Sequence, residues 1–65
     1  MSVNPGDLVL INHLDNDPLM LVWRELYGLG IVMEVYRERE YAKIHFFSEV
    51  GTTTVALYKL EVISP

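Results

Sequence analysis

A chain of 65 residues without a cysteine has few ways to hold itself together. Domains this short bury only about 60% of the surface that their unfolded chains expose, and most rely on disulfides, a metal or partner chains. Disulfides are excluded here, which also leaves the redox compartment undetermined. Yet hydrophobic residues make up 51% of the chain, more than so small an interior hides easily. The surplus belongs at the surface or at an interface, and self-association is the simplest outcome. One domain, residues 1–65, is the ceiling for this length.

Charge narrows the partners. Nine acids face five bases, Arg24, Arg37, Arg39, Lys43 and Lys59, for a formal net charge of −4. Nucleic-acid binders draw much of their affinity from phosphate neutralisation and carry a basic footprint. This chain has only a local one, with three of its five bases between residues 37 and 43. No apolar run reaches the roughly 18 residues of a membrane helix. The opening Met1-Ser2-Val3-Asn4-Pro5-Gly6 lacks the basic and apolar regions of a secretory signal. The expectation is a protein acting in the cytoplasm, with no membrane partner.

The punctuation of the chain predicts five short strands. Asn4-Pro5-Gly6 is a turn signal, and Asp7 to Asn12 follows with Leu8, Val9, Leu10 and Ile11 in an unbroken apolar run, as in a strand buried on both faces. Gly28-Leu29-Gly30 opens the second strand, where Ile31, Met33 and Val35 are expected on one face and Val32, Glu34 and Tyr36 on the other. Arg37-Glu38-Arg39-Glu40 reads as a tight connection to a return strand, Tyr41 to Phe47. Its inner face is Ala42, Ile44 and Phe46, and its outer face Tyr41, Lys43, His45 and Phe47. Thr52 to Leu57 suits a pleated surface, Tyr58-Lys59 breaks it, and Leu60 to Ile63 is a last strand.

Residues 13–28 admit two readings. Asp17-Pro18 resembles a helix cap followed by proline at the first helical position. Leu19, Val22, Trp23 and Leu26 then share one helix face, and Gly28 is a C-terminal stop. The rival is a short strand, Leu19 to Trp23, in a long excursion. The intrinsic preferences of Met, Leu, Arg and Glu favour a helical turn. Trp23, the single tryptophan, is expected as a core or interface anchor.

Gly6-Asp7-Leu8-Val9, Gly28-x-Gly30-Ile31-Val32, Ala42-x-Ile44-x-Phe46 and Leu57-Tyr58-x-Leu60-Glu61-Val62-Ile63 together resemble the small β-barrels of the Src-homology and Sm-like type. They also resemble short barrel proteins encoded by cyanobacterial phages. The fold expectation is therefore all-β: a five-stranded, highly bent Sm-like barrel with a helical turn in 13–28. The Sm-like resemblance implies a closed homo-oligomeric ring, about five to seven copies, in which edge strands of neighbouring subunits pair. It implies ring-forming residues Thr52, Thr54, Val55, Leu57, Leu60 and Val62. It also makes single-stranded RNA the first ligand to test. The family's RNA motifs are not matched: Arg37-Glu38-Arg39-Glu40 stands in the middle hairpin, and only Lys59, with Tyr58 beside it, suits the late basic position.

No catalytic, cofactor or metal signature stands out, so no enzyme is expected. Asp15-Asn16-Asp17 opens like a calcium loop, but Met20 and Leu26 stand where that loop needs glycine and glutamate. His13 and His45 are too few for zinc without cysteine. Gly28-Leu29-Gly30 precedes a strand and lacks the lysine and serine or threonine of a phosphate loop. The candidate ligand face is Tyr36, Arg37, Arg39, Tyr41, Lys43, Tyr58 and Lys59, with His45 and Phe47 continuing the outer row. Aromatics interleaved with bases can stack on nucleobases or grip a protein partner. The acidic balance favours a protein, such as a host enzyme or a virion component.

Overall fold

The β-branched and aromatic runs form five strands in the computed structural model, which describes residues 2–12 and 18–65. These are β1 (Leu8–Ile11), β2 (Gly30–Tyr36), β3 (Tyr41–Phe46), β4 (Thr52–Ala56) and β5 (Leu60–Ser64). A helix, α1 (Pro18–Tyr27), lies between β1 and β2, and short 3-10 turns at Arg37–Arg39 and Leu57–Lys59 join β2 to β3 and β4 to β5. The strands make one antiparallel sheet in the order β4-β3-β2-β1-β5. The protein is thus all-β with little helix, and the sheet stays open. Among the described residues no ladder joins β4 to β5, so both are edges.

The helical reading of the early excursion holds over Pro18–Tyr27. Gly28 ends it in the left-handed conformation at φ +67°, donating its N–H to the Arg24 carbonyl at 3.0 Å. The expected cap at Asp17, and Asp15, Asn16 and His13, lie outside the described residues.

β3 behaves as its alternation predicts, with Ala42, Ile44 and Phe46 all at 0% exposure. β2 does not. Its pairing steps from Val32↔Ile44 to Glu34↔Lys43, leaving Met33 as an extra residue in a bulge. A bulge resets the alternation beyond it. Gly30 and Val32 turn inward ahead of it, Val35 rather than Glu34 packs on the core beyond it, and Met33 is exposed. The expected grouping of Ile31 with Met33 and Val35, and of Val32 with Glu34 and Tyr36, is broken at that point. The core comprises Val3, Val9, Ile11, Val32, Ala42, Ile44, Phe46, Val55 and Leu60.

The N-terminal turn is locked to β2. Gly6 N–H donates to the Val32 carbonyl at 2.8 Å, and Val32 N–H to the Asp7 carbonyl at 3.0 Å. The buried Asp7 carboxylate accepts the Asn4 N–H at 2.9 Å, the local side-chain bond that aspartate offers a turn. Asp7→Ala removes that acceptor and is expected to cost about 1–2 kcal/mol. In a domain of this size each kcal/mol lowers Tm by about 4–8 °C, and a calorimetric scan reads the shift.

Candidate functional site

The register of β2, β3 and β4 sets the outer face in rows. Tyr36, Tyr41 and Ala56 form one row, Glu34, Lys43 and Thr54 the next, and Ile31, His45 and Thr52 the third. The Tyr36 and Tyr41 rings lie 5.0 Å apart, tilted by 43°. The Tyr36 hydroxyl donates to the Glu34 carboxylate. In the third row the His45 ring nitrogen Nδ1 meets the Thr52 hydroxyl at 3.0 Å, and Phe47 stands edge-on to the imidazole. Beside the tyrosine row, a shallow hollow is lined by Arg39, Glu40, Ala56, Leu57 and Tyr58.

Of the seven residues expected to form a ligand face, Tyr36, Tyr41 and Lys43 come together in register, and Arg39 and Tyr58 share the neighbouring hollow. Two are drawn elsewhere. Arg37 donates to the Val3 carbonyl at 2.7 Å and to Asn4 Oδ1 at 2.9 Å, fastening the N-terminal segment. The Lys59 ammonium lies between two rings, 5.4 Å from the centre of Trp23 and 5.8 Å from that of Tyr58. A third base, Arg24, reaches Glu61 at 2.9 Å.

Glu34 is the site residue that sequence reasoning passed over. It carried a signal, since alternation already places Glu34 and Tyr36 on one face. The carboxylate, by accepting the hydroxyl, and by its charge, holds the Tyr36 phenol above its ordinary pKa of 10.0. Tyr36 is therefore expected to ionise above pH 10, and Glu34→Gln to bring that value down. Difference absorbance against Tyr36→Phe isolates the signal. Because the folded-state value is the raised one, the linked stability is present below about pH 10 and is lost as pH climbs through the raised value.

The expected edge residues divide by main-chain direction. Leu57 N–H donates to the Glu40 carbonyl and Phe46 N–H to the Gly51 carbonyl. In an antiparallel ladder these two bonds turn Thr53 and Val55 toward β3 and Thr52, Thr54 and Ala56 outward. On β5, Asn12 N–H bonds the Lys59 carbonyl, which by the same alternation leaves Val62 facing away from β1. Leu60 gives its N–H to the Leu57 carbonyl. The Val55 and Leu60 side chains belong to the chain's own core, and Leu57 and Val62 pack against it.

Trp23 is not a core anchor, being 41% exposed, with its ring stacked on Tyr27 at 6.1 Å. Among the described residues no group of three or more His, Asp or Glu converges as a metal site, and no helix is long and apolar enough to cross a membrane. Compared with protein families, curated proteins and solved structures, the chain matches none.

Proposed function

We propose that this chain is a non-enzymatic protein-binding scaffold of the small-barrel, Sm-like kind, and that its outer β2–β3–β4 face grips the partner. The observation that carries this reading is the acid inside the aromatic row. Glu34 sits against Tyr36 and opposite Lys43, and Glu40 lines the hollow with Arg39 and Tyr58. Phosphates approaching these rings would meet carboxylates. A protein surface offering both donors and acceptors would be matched, and tyrosine and arginine are the residues interfaces favour.

The test pairs two titrations. Short single-stranded RNA at low salt is expected to leave the fluorescence and mobility of the protein unchanged. A host or virion protein retained by the wild type is expected to be lost with Tyr36→Ala/Tyr41→Ala, with the fold checked by circular dichroism. Salt-steep RNA binding that disappears in Arg39→Ala or Lys43→Ala would replace this reading with the nucleic-acid one.

A second reading is the ring of five to seven copies, favoured by the two open edges. Thr52, Thr54 and Ala56 on β4 and Val62 on β5 turn main-chain groups outward. Pairing β4 of one copy with β5 of the next would satisfy both. Native mass spectrometry reads the copy number, and a particle of one or two chains would eliminate the ring.

A further inference from the structure

The helix wears its apolar stripe on the wrong side for a helix that serves only its own core. Arg24 and Tyr27, three residues apart on one face, hold α1 to the sheet. Arg24 reaches Glu61 at 2.9 Å, and the Tyr27 ring stands edge-on to Phe46 at 5.0 Å. The stripe lies roughly 100° around the helix from them. Leu19 is 65% exposed, Val22 51%, Trp23 41% and Leu26 62%. Together these side chains leave roughly 300–400 Å² of apolar surface open. Beyond the C-terminal end of α1, Leu29 and Phe47 extend it, both exposed and joined by a main-chain bond of 3.0 Å.

We propose that α1 is a two-fold self-association surface, packing antiparallel against α1 of a second copy. Three observations select that occupant. The stripe is a palindrome: residues 19, 22, 23 and 26 map onto themselves when the helix is reversed about its middle. Leu19 then meets Leu26 of the other copy, and Val22 lies by the other Trp23. A two-fold interface requires such self-complementarity, while a foreign partner does not. Charge is also compatible. Of the two charged residues of α1, Arg24 is held by Glu61 and Glu25 lies off the stripe. The stripe itself carries no charge, so two helices can approach although the chain carries −4 overall. Finally, doubling the stripe with Leu29 and Phe47 brings the buried area near the ~1,000 Å² at which specific interfaces begin. An interface of that size is at the weak end of specific ones, so dissociation is expected on dilution. This surface borders the outer β2–β3–β4 face at Phe47 and the β4 edge at Trp23. The substitutions that test it lie on α1 and leave the tyrosine row untouched, so its failure and that of the partner-binding reading are distinguishable. A monomer–dimer equilibrium would eliminate the ring.

The absence of native cysteine makes cross-linking a direct test. Leu19→Cys and Leu26→Cys are made separately, mixed and oxidised. The antiparallel pair predicts that the mixture cross-links between the two variants, faster than either alone. Equal or faster cross-linking within each variant would mean a parallel arrangement and would overturn the proposal. Sedimentation of the wild type from 1 to several hundred micromolar is expected to show a monomer–dimer equilibrium. Val22→Glu, at an exposed site and with the fold checked by circular dichroism, should weaken it about 100-fold or more, and Leu26→Lys should act likewise. A monomer throughout that range overturns the proposal, as does a larger particle indifferent to both substitutions.

Discussion

Phe46→Ala is expected to abolish the cooperative thermal transition. Phe46 is wholly buried on the inner face of β3, opposite Gly30 in the ladder, with Tyr27 edge-on at 5.0 Å. Truncating a buried phenylalanine costs about 3–5 kcal/mol through lost burial and the cavity left behind. A domain of this length has only about 3–10 kcal/mol to lose. The change also removes the ring on which Tyr27 rests, so α1 loses that apolar contact and is held by polar ones, Arg24 to Glu61, Ser48 to the Tyr27 carbonyl and Lys59 to Trp23. Circular dichroism melts of Phe46→Ala and Phe46→Leu check this. The leucine variant preserves most of the volume and should melt cooperatively, lowered by the lost ring contact, worth about 0.5–1.5 kcal/mol. An alanine variant melting within a few degrees of the wild type would mean that the core does not centre on this ring.

The second large effect comes from adding atoms. A β-carbon on Gly30 would stand 2.7 Å from Ile44 Cγ2 and 2.8 Å from Phe46 Cδ1, well inside van der Waals contact. Gly30→Ala is therefore expected to cost about 1–3 kcal/mol by overpacking, and Gly30→Val to prevent folding. Gly28→Ala is the contrast. There the added carbon meets nothing within 4 Å, and the cost is that of holding φ at +67°, about 1 kcal/mol. Because Gly30 and Phe46 share one space, their substitutions should not add. Gly30→Ala in a Phe46→Leu background is expected to cost less than in the wild type, and denaturant midpoints of the four proteins close the cycle.

The burial of Phe46 follows from local pattern. The inner row Ala42, Ile44 and Phe46 comes from strict alternation between turn residues, and all three are fully buried. Pro18 to Tyr27 reads as a helix ended by Gly28 and is one. The charged stretch Arg37 to Glu40 reads as the hairpin connection, and it closes with Glu40 at φ 60°. Of the candidate face, the placement of Tyr36 opposite Tyr41 was legible, because one four-residue connection between two alternating runs fixes their register.

What escaped the sequence depends on contacts between segments far apart along it. The bulge at Met33 is one case, since only the geometry of the neighbouring strands decides where an extra residue is accommodated. The diversion of Arg37 to Val3 and Asn4, and of Lys59 to Trp23, is another: a charge count cannot say which bases are already engaged. The orientation of α1 is the third. Periodicity identified its apolar stripe correctly, but periodicity is symmetric about the helix axis and carries no information on which side meets the sheet. That choice was made by Arg24 reaching Glu61, 37 residues away, and by Tyr27 reaching Phe46 on a different element. Local pattern thus determined the elements and the inner face of β3. Long-range packing decided how the elements turn, and with it which residues are left facing outward to bind.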